Sequence, residues 1–547
     1  MLALLLAGCA TLQPENDAGT ETAGDGAERV AEARAAAEAG EYAYALERLT
    51  QALADSDDPA VARQAAQLAI AMNDPGAARR AAARWLELEP DSRQAAQVAV
   101  VAALQQGRSE AAAELLYERL IATASDRERA WVAATALLAQ AEAPDAARAA
   151  LADAVDRLDA PAPGLRDYVE SRLLARLDRL DEAWTLAQAA RAASPGYERA
   201  MWAARLAQRR DDREAALENF RRARAHRPTD RVAAIGLVQV LQSLDRPGQA
   251  LAVLDDLPVD AELLYTRGLL EQELGRMAEA GATWQRLASL EGEAAGPRHA
   301  WLTGLLAELL RMRGQAVAWY QRVDGELAPR ADLRRAILLG DMGQLDVARR
   351  VLADLRLGAD PGTRERSWLV EGGLLVDAAA YDEAIELYSE SLTKLPGSSE
   401  LLYARAMAAV QADQLQLAEQ DLRAMIQNDP ENAVALNALG YTLADMTDRH
   451  REALRLIETA LALDPDNPAI LDSMGWVLYR LGRSEAALPY LQRAARADPH
   501  PEIVAHLIEV LWVLERRDEA NEWIARYGDE HAGEPVFDAT LKRLGVE

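Results

Sequence analysis

Small and hydrophobic residues recur along this chain with a period close to 34 residues. Fifteen alanines mark the period at spacings of 30 to 36 residues, namely Ala45, Ala78, Ala112, Ala147, Ala183, Ala216, Ala250, Ala280, Ala316, Ala348, Ala384, Ala418, Ala453, Ala487 and Ala520. A proline often stands twelve residues later, at Pro90, Pro195, Pro228, Pro396, Pro430, Pro465 and Pro499. A small residue often stands twelve residues earlier, at Ala33, Ala66, Ala204, Gly268, Gly304, Ala336, Gly372, Ala406 and Gly475. The pattern predicts a chain of paired helices, repeated many times.

Each mark has a physical role in a helical hairpin. A small residue in the first helix and an alanine in the second allow the two backbones to approach closely. Proline cannot continue a helix interior, so it separates one hairpin from the next. Gly107, Gly343 and Gly482 fall between the paired helices, where a positive φ costs glycine little.

The spacing resembles the tetratricopeptide repeat, which has 34 residues and two helices. The best unit is 468–500, "PAILDSMGWVLYRLGRSEAALPYLQRAARADPH". The fold expected is all-α, a tetratricopeptide-repeat superhelical solenoid of about fifteen helical hairpins whose stacked neighbours share one core. Another type of helical repeat remains the alternative, above all for 120–166 and 248–297. We expect N-terminal repeats over 28–257 and C-terminal repeats over 258–547, in one continuous solenoid with a possible softer junction near 258–297.

Composition narrows the classes of partner. The 547 residues carry 88 acidic and 60 basic side chains, for a formal charge of −28. Arginine supplies nearly all the positive charge, since Lys394 and Lys542 are the only lysines. Such a field repels phosphate backbones, and no basic stripe reverses it locally, so we expect no nucleic-acid partner. A soluble, solvated surface is favoured over a site for a basic partner.

The first residues resemble a bacterial lipoprotein signal. Leu6-Ala7-Gly8-Cys9 fits the lipobox, whose cysteine is lipidated after cleavage, and Cys9 is the chain's single cysteine. The alternative is a chance cysteine in an apolar start. We interpret 1–9 as the signal segment and the polar stretch 10–27 as a flexible tether. Ala10 stands where an aspartate would favour retention in the inner membrane, so the expected location is the outer membrane, facing the periplasm.

No motif indicates catalysis. The six histidines show no paired metal-ligand spacing, and the chain contains no phosphate-binding loop and no nucleophile elbow. His226, His450 and the other histidines are interpreted as surface or capping residues. We therefore expect a protein that is not an enzyme, with no cofactor, no metal and no small-molecule substrate.

Aromatic and polar side chains stand out in the late repeats, beginning with "ILDSMGWVLYRLGR" at 470–483. Leu471, Met474 and Leu478 are assigned to the core of the first helix, and other positions are assigned to a concave binding groove. The predicted groove residues are Tyr403, Met407, Asn437, Tyr441, Asp472, Trp476, Tyr479, Arg480, Glu509 and Trp512. The alternative is that Trp476 and Tyr479 pack against the neighbouring hairpin. The lysine of a carboxylate-clamp groove is missing here, so an acidic C-terminal tail is a poor candidate ligand for this groove.

The region 437–524 is similar to the large tetratricopeptide-repeat lipoproteins of the proteobacterial outer membrane, of the LbcA type. That resemblance implies an adaptor that binds a periplasmic carboxyl-terminal processing serine protease and promotes cleavage of peptidoglycan hydrolases. Its partners would be the protease, the protein substrates and, through the lipid anchor, the membrane. The alternative is a scaffold lipoprotein of an exopolysaccharide export or other cell-envelope assembly.

Overall fold

A computed structural model describes residues 25–546, and within that range the chain has 31 α-helices and no β-strand. The predicted all-α class is confirmed. The described residues divide into two compact units: 25–259 with Leu269–Arg276, and Asp260–Gly268 with 277–546. The first of these is called unit 1 and the second unit 2. The predicted softness of the junction near 258–297 stays a prediction.

Unit 1 contains seven helical pairs. Their bounds are α1 Asp25–Glu38, α2 Tyr42–Ala52, α3 Pro59–Ala71, α4 Pro75–Leu88, α5 Arg93–Gln105, α6 Ser109–Leu115, α7 Arg127–Ala139, α8 Pro144–Asp156, α9 Leu165–Arg176, α10 Leu180–Ala193, α11 Tyr197–Arg209, α12 Arg213–His226, α13 Arg231–Ser243 and α14 Pro247–Leu254. A π-helix, Leu116–Ile121, continues α6. Helix α1 begins at Asp25, so the last residues of the predicted tether are helical. Cys9 lies outside the described residues.

The remaining helices follow the same alternation. Their bounds are α15 Ala261–Glu273, α16 Met277–Ala288, α17 His299–Leu309, α18 Arg313–Tyr320, α19 Ala328–Asp341, α20 Leu345–Gly358, α21 Pro361–Asp377, α22 Tyr381–Lys394, α23 Ser399–Gln411, α24 Leu415–Asn428, α25 Ala433–Met446, α26 His450–Leu463, α27 Pro468–Arg480, α28 Ser484–Ala497, α29 Pro501–Val513, α30 Arg517–His531 and α31 Pro535–Leu544. Helices α1 to α30 thus make fifteen consecutive pairs, and α31 stands alone at the end.

The residues that recur with a period close to 34 in the sequence lie where helices pack against each other. All fifteen alanines that mark it are 0% exposed. The small residue of the first helix faces the second: a Cβ added at Gly475 of α27 would lie 2.4 Å from Cγ of Leu491 in α28. Only a residue without a side chain allows that approach, so the close-packing prediction is confirmed here.

The turns between paired helices also have the backbone conformation that the sequence predicts. Gly107, Gly343 and Gly482 have φ values of 70°, 73° and 73°, in the left-handed region that favours glycine. Asp212 caps the start of α12, because its carboxylate accepts a hydrogen bond from the Ala215 amide at 3.0 Å. Such a cap satisfies an amide that has no partner within the helix.

Candidate functional site

The main candidate site is a cavity of about 590 Å³ in unit 2. The first helices of three successive hairpins, α25, α27 and α29, supply one part of its lining, and α31 supplies the rest. Its lining side chains are Tyr441, Asp445, Trp476, Tyr479, Arg480, Glu502, His506, Glu509, Pro535, Val536, Ala539, Thr540 and Arg543. Residues spaced three to four apart share a helix face, which is why α27 presents Trp476, Tyr479 and Arg480 together.

A buried ion pair supports the aromatic part of the cavity. His506 Nδ1 lies 2.9 and 3.0 Å from the two carboxylate oxygens of Asp472, and the two side chains are on neighbouring first helices. The imidazole stacks on the indole of Trp476, with ring centroids 4.0 Å apart and planes 16° apart. The Trp476 indole N–H donates to Asp445 at 3.1 Å. The indole is therefore held on one face and at its polar edge.

Two tyrosines extend this network across the hairpins. The Tyr441 hydroxyl donates to Glu502 at 2.5 Å, and the Tyr479 hydroxyl donates to Glu509 at 3.0 Å. Burial, together with the nearby Glu509 carboxylate, raises the pKa of Tyr479 to about 12. Arg543 of α31 pairs with the same Glu509 carboxylate. Tyr479 thus stays a neutral donor at physiological pH, and α31 is tied to α29 by an ion pair.

The structure brings together half of the predicted groove residues and separates the others. Those that line the cavity are Tyr441, Trp476, Tyr479, Arg480 and Glu509, while Asp472 lies beneath it. Those that do not line it are Tyr403, Met407, Asn437 and Trp512. Tyr403, Met407 and Trp512 pack partly buried against the core, and Arg517 covers the Trp512 ring at 3.7 Å. The core assignment of Leu471, Met474 and Leu478 is confirmed, because all three are buried.

The expected exposure of the groove is corrected. Trp476 is only 7% exposed, and Asp472 and Glu509 are also buried. The alternative of packing against the neighbouring hairpin therefore describes Trp476 better, since His506 of the next hairpin covers its face. Tyr479 and Arg480 remain partly exposed at the cavity, so a partner can reach them directly.

Sequence reasoning missed His506, Asp445, Glu502 and the lining from α31. His506 was interpreted as a surface or capping residue, but it is 4% exposed and bonded to Asp472. One signal was available: His506 follows Asp472 by 34 residues, one full repeat, and so occupies the same position on the next first helix. An acid and a histidine at equivalent positions of adjacent repeats face each other.

Protonation of His506 should make stability depend on pH. Burial lowers its pKa, but Asp472 in contact and the Glu502 and Asp445 carboxylates outweigh burial, so the pKa is raised above its ordinary value. The stability from charged His506 should be fully present below about pH 6.5 and lost as pH rises through the folded-state pKa. We expect the free energy of unfolding, measured from about pH 6 to pH 9, to fall more for the wild type than for His506→Gln. Equal slopes for the two proteins would contradict the assignment.

The described residues hold neither a membrane-spanning helix nor a metal cluster. From 25 to 546, no helix has the length and apolarity to cross a bilayer. In the same range, no three histidine, cysteine or carboxylate side chains are grouped to hold an ion. What the cavity does offer is neutral tyrosine donors, carboxylates, two arginines and an aromatic surface. Such a surface suits contact with a side chain of another polypeptide.

Comparison with known proteins agrees with the repeat architecture. Family models described as tetratricopeptide repeat match residues 63–128 and 403–468, and another of the same description matches 446–503. The matched segments lie in both units, so each unit contains residues that match the tetratricopeptide repeat. Proteins built on this repeat are typically scaffolds for protein–protein interaction, without catalysis of their own.

A curated relative is the "TPR repeat-containing protein PA4667" of Pseudomonas aeruginosa, which is 40% identical over 208 residues. The match covers 38% of this chain and about a third (35%) of the relative. Among solved structures, yeast Tom70 covers 95% of both chains at 13% identity with a TM-score of 0.36. A tetratricopeptide repeat protein from Parabacteroides merdae covers 46% of this chain and 98% of its own at 13% identity, with a TM-score of 0.38.

Proposed function

We propose that this protein is a non-enzymatic adaptor that binds a periplasmic carboxyl-terminal processing protease and presents its substrates, which are peptidoglycan hydrolases. The observation that carries the proposal is the cavity of unit 2, where partly exposed Tyr479 and Arg480 stand beside the buried Trp476. Tyrosine, tryptophan and arginine are the residue types that dominate binding energy at protein interfaces. The similarity of 437–524 to the LbcA-type lipoproteins supports a protease as the partner.

The adaptor acts at a membrane surface in this proposal. Lipidated Cys9 would anchor the chain in the outer membrane, facing the periplasm, with the stretch after it as a tether. Several acyl chains, at about 0.8 kcal/mol per buried CH₂, anchor a protein stably. Anchoring raises the effective concentration of whatever the repeats hold, because the second encounter becomes intramolecular. Protease and hydrolase would therefore meet more often without any catalytic group on the adaptor.

Direct contact with the protease can be tested with purified proteins. The measurement is the dissociation constant of the full chain for the cognate protease, together with the rate at which the protease cleaves a hydrolase. We expect the chain to raise the cleavage rate. The double variant Tyr479→Ala with Arg480→Ala should weaken binding about 30-fold, because truncating such anchors often costs about 2 kcal/mol.

The matched control changes the same residue types on the second helix of the same hairpin. Tyr490 and Arg496 of α28 lie away from the cavity. Their double alanine variant should bind as the wild type does, and circular dichroism should show full helicity in both variants. Undiminished binding by the cavity variant would reject the cavity as the protease site. If no protease binds while export or polymer-synthesis components copurify, the envelope-assembly alternative replaces the adaptor.

A further inference from the structure

A second cluster of aromatic and basic side chains lies in unit 1, on helices α9 and α11. The guanidinium carbon of Arg172 lies 4.4 Å from the ring centroid of Trp202 and 5.4 Å from that of Tyr168. The guanidinium carbon of Arg199 lies 4.7 Å from the same Tyr168 centroid. Two cations therefore share one tyrosine, and cation–π attraction holds each of them over a ring.

The rings that carry these cations are fixed by the hairpin below them. The Trp202 indole N–H donates to the Ser171 hydroxyl at 2.8 Å, and that hydroxyl donates to the Ala183 carbonyl of α10 at 2.6 Å. Ser171 and Tyr168 are both buried. The ring positions are thus set by contacts within unit 1, so the guanidinium groups need little ordering before a ligand arrives.

One of the two arginines in this cluster has no acidic partner among the described residues. Arg172 donates to the Tyr168 hydroxyl at 3.0 Å, and no carboxylate of the described chain pairs with it. Arg199 pairs with Glu128 at 2.8 Å, and its side chain is only 12% exposed. The buried Nε of each arginine also has no protein acceptor. In unit 2, by contrast, half-buried Arg405 is neutralised by Asp421 with two hydrogen bonds.

We propose that Arg172 and Arg199 form a binding site for carboxylates on an acidic segment of a protein partner. The Arg172 guanidinium lies against two rings, and no acid of the described residues neutralises it, so it can bind a carboxylate through its forked N–H groups. Arg199 is already paired with Glu128 and adds a second positive charge beside it. Because both guanidinium carbons lie against one ring, they are at most about 10 Å apart. Neighbouring acidic residues of one peptide can span that distance. The site goes beyond the proposed function and involves none of the residues of the unit 2 cavity.

The probe is a fluorescein-labelled octapeptide with two glutamates in a Gly-Ser background and an amidated C-terminus. Its binding to the full chain is followed by fluorescence anisotropy, alongside two glutamine versions, one amidated and one with a free C-terminus. We expect the glutamate peptide to bind at least tenfold more tightly than the amidated glutamine peptide, and high salt to weaken it. If only the glutamine peptide with a free C-terminus binds tightly, the site recognises the carboxylate of a chain end and not that of a glutamate side chain.

Three variants distinguish binding at this site from general electrostatic attraction of an acidic peptide to the chain. Arg172→Met with Arg199→Met should weaken glutamate-peptide binding at least tenfold, whereas Arg205→Met, an exposed position on α11, should leave it within twofold. Arg172→Lys with wild-type Arg199 keeps the charge but loses the forked donors, and it should show an intermediate affinity even if the double variant is unstable. Equal binding of all three peptides, no binding of any, or equal losses in the Arg205 variant would overturn the proposal.

Discussion

Replacing Asp472 with alanine is expected to lower the free energy of unfolding by about 3–5 kcal/mol, because it leaves the buried His506 without its partner. His506 is 4% exposed, and both carboxylate oxygens of Asp472 lie within 3.0 Å of its Nδ1. The imidazole can reduce the loss by releasing its proton, so the effect should be largest at low pH. Hydrogen exchange of peptides from α27 and α29 measures this loss of stability locally. A local measurement is needed because the hairpins of a repeat array can unfold separately.

An exposed ion pair in the same region provides the control. Asp466 pairs with Arg493 at 3.0 Å, but its side chain is 91% exposed. Asp466→Ala should therefore change stability by less than about 1 kcal/mol, since exposed pairs contribute little. Adding His506→Leu to Asp472→Ala should recover part of the loss, because no unpaired charge is then buried. Comparable losses for Asp472→Ala and Asp466→Ala would show that the buried pair contributes no more than a surface pair.

Substitution of two adjacent glycines in α21 should have opposite effects. A Cβ at Gly372 would lie 2.1 Å from Cζ of Tyr388, a buried residue of α22, whereas a Cβ at Gly373 would have no neighbour within 4 Å. Gly372→Ala should reduce the free energy of unfolding by about 1–3 kcal/mol, because the hairpin must open to admit the methyl group. Gly373→Ala should increase it by about 0.5–1 kcal/mol, because alanine loses less backbone entropy in a helix.

Each of these two variants is the control for the other, since the change in helix propensity is the same at both positions. Urea unfolding of the two variants and the wild type, followed by circular dichroism, gives the sign of each effect. Hydrogen exchange in α21 and α22 locates it. A gain in stability at Gly372 similar to that at Gly373 would mean that Tyr388 moves aside at no cost, and that the small residue is not needed for packing.

The fold was largely predictable because the residues that determine it lie close together in the sequence and recur in every repeat. Every alanine of the period is buried, and Gly475 sits where only hydrogen fits against Leu491. The turn glycines were predictable for the same reason, since one sharp reversal recurs between paired helices. The junction near 258–297 could not be judged from the pattern, because its spacing alone does not reveal which residues share a core.

The candidate site was predictable only in part. Helical spacing placed Tyr441, Trp476, Tyr479, Arg480 and Glu509 on one side of adjacent first helices, and these five line the cavity. It also suggested Tyr403, Met407, Asn437 and Trp512, which lie elsewhere. Helical position gives the direction of a side chain, but not whether a neighbour covers it.

The sequence by itself determined the repeat, the helix pairs and the small residues at their contacts, because each follows from the intrinsic chemistry of one short unit. Tertiary structure alone decided that Trp476 is buried under His506, that Asp472 is paired and not free, and that α31 lines the cavity. Those outcomes depend on groups brought together from 30 or more residues apart. Distance, burial and charge between such groups are set only when the hairpins stack.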